Sequence, residues 1–346
     1  MRYAMSIAVL MFAELVSAGE PPQDAAPAFV RARPVWPAGR QTEQNLLVEF
    51  RAEVSAPASG DVRVRLAAAS LYRLRVNGSF VGHGPARAGH GFYRVDEWDL
   101  GPWLKAGPNE IVIEVAGYNA NSYYLLDQPS FLQAELIAGD AVVAATGGQG
   151  FHAALRGDRI QRVQRYSFQR PFSEIWRLPE TREPVSCAVA DARPLALRGV
   201  PYPTFRKVSP VAHVAAGTVE QGDPPPRPWK DRSLTGVGPK LAGFPESEID
   251  WLPSLDLQSI RTRTSGPAPS AIALTDHTFH TVDFGTNLTG FIGATVTASR
   301  PSRLYVTFDE ILSHGDVDFK RMGCVNVVAY ELAPGTHRLE SFEPYT

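Results

Sequence analysis

The 346 residues exceed one domain of ordinary size, about 100–200 residues, so two or three domains are expected. The 44% hydrophobic content can fill apolar cores, while a net charge of -2 with 20% charged residues excludes a disordered polyelectrolyte and a nucleic-acid footprint. Glycine and proline each number 29, which leaves few windows for an uninterrupted helix and favours many short strands.

The N-terminus opens with one positive residue, Arg2, followed by the apolar run Ile7-Ala8-Val9-Leu10-Met11-Phe12-Ala13 and the small-residue pattern Val16-Ser17-Ala18. This pattern predicts a signal peptide over 1–18, cleaved after Ala18, and a secreted or periplasmic protein. No later stretch approaches the ~20 apolar residues of a membrane span, so no membrane partner is expected. A Pro/Ala-rich lead covers 19–38.

Period-two alternation begins after the lead and predicts an N-terminal antiparallel β-sandwich over 39–184. Val62, Val64 and Leu66 alternate with Arg63 and Arg65; Tyr72, Leu74 and Val76 alternate with Arg73 and Arg75. Asn77-Gly78 then supplies the two positive φ angles of a type I′ turn, which predicts a hairpin into Phe80-Val81. Further strands are predicted at 91–95, 109–115, 131–137 and 141–145, the last two joined through Ala138-Gly139-Asp140. Their spacing suits a sandwich or jelly roll of galactose-binding-like type. The pattern weakens over 185–269, where Pro224-Pro225-Pro226 and Pro228 stiffen the chain, and this segment is read as an irregular linker. Alternation returns at 282–284, 292–296, 304–308 and 326–331, predicting a second β-domain over 270–346. At about 75 residues it is short for a closed sandwich, and at least one strand is expected to be missing.

Local signatures of chemistry are few. No GxSxG elbow, HExxH helix, P-loop or strand-linked GxGxxG occurs, which removes local support for serine hydrolysis, zinc proteolysis and nucleotide chemistry. Cys187 and Cys324 are the only cysteines and are read as independent thiols; no metal and no cofactor are expected. Glycosidic cleavage needs two carboxylates across the bond, but Asp96, Glu97, Asp99, Asp127, Asp309, Glu310, Asp316 and Asp318 are each read as turn or rim positions. The densest polar-aromatic segment runs through Tyr118, Asn119, Asn121, Tyr123 and Tyr124 to Asp127. Rings that stack on sugar C–H faces and amides that fork onto hydroxyls make it a candidate carbohydrate-binding or domain-interface loop. Trp98 and Trp103, flanking a tight turn, are a second such candidate, with core packing as the alternative. His83 and His90 lie in a glycine-rich stretch read as a long exposed loop.

Three runs, taken in order and spacing, carry a family resemblance. They are Leu74-Arg75-Val76-Asn77-Gly78-Ser79-Phe80-Val81-Gly82, then Phe92-Tyr93-Arg94-Val95-Asp96-Glu97-Trp98-Asp99-Leu100, then Leu104-Lys105-Ala106-Gly107-Pro108-Asn109-Glu110-Ile111. Together they resemble the N-terminal β-sandwich of glycoside hydrolase family 78, the bacterial α-L-rhamnosidases. Asp283-Phe284-Gly285-Thr286-Asn287-Leu288-Thr289-Gly290-Phe291, Thr307-Phe308-Asp309-Glu310-Ile311-Leu312 and Phe342-Glu343-Pro344-Tyr345-Thr346 resemble the small concanavalin-like β-domain that precedes the catalytic barrel. The resemblance implies inverting hydrolysis of terminal α-L-rhamnosides by residues on an (α/α)6 barrel C-terminal to these domains. That barrel has no counterpart in the sequence, so no catalytic residue carries over. The expectation is an accessory region, inactive alone, whose partners are the barrel and a rhamnose-containing oligo- or polysaccharide. The alternative is a free-standing carbohydrate-binding β-sandwich protein.

Overall fold

The computed structural model describes residues 29–56, 61–220, 241–250, 259–265 and 271–346. The leader, the first half of the Pro/Ala-rich lead and the Pro224–Pro228 stretch lie outside the described residues. The expected all-β class holds: the described residues form strands, turns and three single-turn 3-10 segments, the first at Gly101–Trp103.

Two facing sheets make the N-terminal sandwich. One runs in the order Cys187–Val189, Val35–Pro37, Phe131–Ala138, Val62–Ala69, Tyr93–Asp99, Leu195–Leu197, with Ala141–Ala145 also paired to Phe131–Ala138. The other runs Arg182–Val185, His152–Arg156, Leu46–Ala56, Gly107–Gly117, Leu71–Val76, Ser79–Gly84. The alternation expected at Val62–Ala69 places Val62, Val64 and Leu66 inside and leaves Arg63 and Arg65 half-buried. Asn77 at φ 49° and Gly78 at φ 76° make the predicted hairpin turn between Leu71–Val76 and Ser79–Gly84. Trp36, Phe50, Leu66, Leu74, Ile113 and Leu136 fill the space between the sheets, each contributing about 1.5–3 kcal/mol by leaving water.

The stretch read as a linker is partly structural. Val35–Pro37 pairs antiparallel with Cys187–Val189, and Leu195–Leu197 adds in parallel to Tyr93–Val95, so both edges of the first sheet are formed by residues from this stretch. Further on, Ala212–Glu220 is the centre of a three-stranded sheet with Ser259–Thr264 and Thr278–Asp283.

A second core sits on the outer face of the six-stranded sheet. Leu47, Leu71, Ala116 and Tyr118 pack there against Ile175, Trp176, Val327, Tyr330 and Phe342. Glu174–Leu178 leaves the sandwich and joins Val327–Leu332 in parallel, with Ser302–Thr307 antiparallel on the far side. The charges on this outer face are also covered. Arg73 Nε donates to Glu114 Oε2 at 2.6 Å, Arg156 Nη1 lies 3.1 Å from Glu49 Oε2, and Arg73 Nη1 donates to the Ser341 carbonyl at 3.1 Å. These pairings satisfy groups that burial alone would make costly.

Candidate functional site

The strand Ser79–Gly84 runs into the loop 85–92, and the strand Gly107–Gly117 runs into the loop 118–130. Together with Gln169, Arg170, Glu343 and Pro344, these loops border a cleft of about 740 Å³. The glycine-rich segment and the polar-aromatic segment, far apart in sequence, therefore face one space.

Glu343 organises its floor. Tyr118 Oη donates to Glu343 Oε1 at 2.5 Å, Tyr124 Oη donates to Oε2, and Arg170 Nη1 reaches Oε2 at 2.8 Å. The backbone around Glu343 is fixed in turn by Glu174: Phe342 N donates to it at 2.7 Å, Glu343 N at 2.9 Å and Tyr345 Oη at 2.9 Å. Burial and the neighbouring Glu343 charge push the Tyr118 and Tyr124 phenols well above their usual range, so both stay protonated donors. Burial opposes the Arg170 charge, but Glu343 and the surrounding tyrosines outweigh it and hold the guanidinium protonated. His83 borders the same cleft, and burial pushes its imidazole down to about 4, leaving it neutral at pH 7.

The sequence candidates divide sharply. Tyr123 and Tyr124 line the cleft; Tyr123 is 71% exposed and packs one side on Phe168 at 4.8 Å. Tyr118 is fully buried beneath them, acting through Glu343. Asn119 is buried and holds the loop base, donating to the Glu43 carbonyl at 2.9 Å and to Ser130 Oγ at 2.7 Å. Asn121 Oδ1 accepts from the Asp127 backbone N at 2.9 Å and closes the loop, while Asp127 itself is exposed. Trp98 and Trp103 do not border the cleft. Trp98 is 9% exposed and donates to Tyr72 Oη at 2.8 Å, and Trp103 packs partly buried against the sandwich core. Asp96, read as a rim acid, is fully buried between Tyr72 and Arg198.

Glu343, Arg170, Arg87 and Phe92 were not singled out as site residues from the sequence. Phe92 offers a detectable signal, being an aromatic beside a glycine-rich loop. Glu343 offers none, because its role depends on a segment more than 200 residues beyond the tyrosines it binds.

The molecule is thus a two-sheet β-sandwich docked on a second β-region, with a polar-aromatic cleft at its loops. Its fold is that of solved α-L-rhamnosidases. The chain is similar to the family 78 rhamnosidase of Bacillus sp. GL1 with a TM-score of 0.72 and 17% identity, over 91% of this chain and 52% of that one. It is similar to the α-L-rhamnosidase of Aspergillus terreus with a TM-score of 0.51 and 15% identity, over 92% of this chain and 33% of that one. The chain thus spans about half and about a third of their lengths, and the likeness is one of fold. No family model and no curated protein matches the chain.

Proposed function

We propose that this chain is the non-catalytic β-region of an α-L-rhamnosidase-like glycoside hydrolase acting on rhamnose-containing glycans, with the cutting residues on a barrel outside it. The observation that carries the reading is that the fold agreement extends over 91% of this chain while occupying 52% of a rhamnosidase. The cleft supports holding a glycan over cutting one. Glycosidases place two carboxyl groups about 5–9.5 Å apart across the bond. Among the described residues that border this cleft Glu343 is the only carboxylate, and it is already engaged by two phenols and a guanidinium. Phe92, 47% exposed, and Tyr123 supply rings for sugar C–H faces, and Ser122, Gln128 and Gln169 supply hydroxyl and amide partners. Export through the 1–18 leader belongs to the same proposal, and Gly19 at the N-terminus of the secreted protein is its readout.

The purified chain should release no p-nitrophenol from p-nitrophenyl α-L-rhamnoside, and should bind a rhamnose-containing oligosaccharide saturably. Tyr123→Ala and Phe92→Ala should each weaken that binding about three- to tenfold. Turnover by the chain alone would overturn the non-catalytic assignment; absence of binding at millimolar sugar would remove the glycan from the cleft.

A further inference from the structure

Resting on the glycan-cleft reading, we infer that the cleft selects an acidic saccharide, a unit bearing a uronate carboxylate, over a neutral one. The argument is one of charge balance. Three arginines and one glutamate border the cleft. Arg170 and Glu343 cancel at 2.8 Å, and His83 is neutral, which leaves Arg87 and Arg94 as an excess of positive charge on a chain of net charge -2.

Neither excess guanidinium has a carboxylate partner among the described residues. Arg94 Nε donates to the Arg87 carbonyl at 3.1 Å and its Nη1 to the Leu197 carbonyl, so only backbone oxygens hold it. The nearby carboxylate of Asp96 is buried and already taken by Tyr72 and by Arg198 at 2.9 Å. Arg87 is exposed, with its guanidinium carbon 5.3 Å from the centroid of the Tyr124 ring. Arg87 borders the cleft, and its guanidinium is a planar fork of N–H donors of the kind that takes a carboxylate in two parallel hydrogen bonds. Exposed Phe92 and Tyr123 flank the same space, so ring stacking and carboxylate capture fall on adjacent groups of one oligosaccharide.

The test uses a disaccharide of rhamnose and glucuronic acid, its carboxyl-reduced counterpart and a short poly-glutamate peptide, each titrated calorimetrically into the whole chain. The uronate should bind about tenfold or more tightly than the reduced sugar, an advantage that shrinks between low and high salt. Arg87→Gln should abolish the preference, bringing uronate binding down to the level of the reduced sugar, with the melting temperature unchanged; Arg87→Lys should restore part of it. Equal binding of both sugars, or a preference that survives Arg87→Gln, overturns the acidic selection and leaves the glycan cleft standing. No binding of either sugar overturns both. Poly-glutamate binding as tightly as the uronate replaces the saccharide with an acidic peptide.

Discussion

His83, half-buried with its ring Nε2 enclosed, and Glu114, buried, are titratable groups whose shifts run the same way and act in different pH windows. The His83 imidazole is pushed down to about 4 by burial, so between its ordinary value near 6.5 and about 4 the unfolded chain takes up a proton that the folded chain refuses. His83 therefore contributes stability that is complete above pH 6.5 and is lost as pH falls toward 4. Burial would raise Glu114, but Arg73 and Arg156 outweigh it and bring its carboxyl down to about 2. Its contribution is complete above 4.5 and is lost only as pH falls toward 2. Urea melts should show His83→Gln flattening the decline between pH 6.5 and 4.5 while leaving the steeper fall below 4.5 in place. An unchanged slope in the upper window would show that the His83 ring nitrogen is not enclosed as described.

At the scale of elements, the strand Ser79–Gly84 and the loop 85–92 that follows it show why two glycines of one glycine-rich stretch are unequal. A Cβ on Gly82 would lie 2.3 and 2.4 Å from atoms of the Trp98 ring, whereas one on Gly89 meets nothing within 4 Å. Gly82→Ala should therefore cost about 1–3 kcal/mol by overpacking, and Gly89→Ala should stay within about 0.5 kcal/mol of the parent in denaturant melts. Equal effects would place Trp98 outside the core. Element by element, what was legible in the sequence is what local chemistry dictates. The Asn77-Gly78 turn and the Val62, Val64, Leu66 alternation predict their strands because the signal lies within a few residues. The parallel addition of Leu195–Leu197 to Tyr93–Val95 was not legible, since a three-residue edge strand carries no period and parallel pairing leaves no turn. The cleft follows the same rule. The tyrosine loop announced itself by composition, but Glu343 on its floor is chosen by tertiary contact alone, and Trp98 stands out in sequence only to be spent on packing.

For the whole molecule, the decisive feature is that the sandwich and the second β-region share a core. Leu47, Leu71, Ala116 and Tyr118 belong to strands or loops of the sandwich yet pack with Val327, Tyr330 and Phe342. Glu174–Leu178, which precedes the sandwich strand Arg182–Val185 in the chain, pairs in parallel with Val327–Leu332. Arg73 adds a buried bond to the Ser341 carbonyl across the same boundary, and Arg75 reaches Glu340 at 2.5 Å. Separating the two parts would expose that apolar face to water, at about 25 cal/mol per Å² of apolar surface, and break the Arg73 bond to the Ser341 carbonyl. Independent unfolding is thus disfavoured even though the chain is long enough for two domains. Scanning calorimetry should give one transition for the sandwich and the Val327–Leu332 sheet together, with the calorimetric and van't Hoff enthalpies close to each other for that unit. Arg73→Met, which removes the cross-boundary bond and one of the guanidinium partners of Glu114, should lower the transition temperature and split the peak. Two resolved peaks in the parent chain would mean that the shared core does not couple the regions.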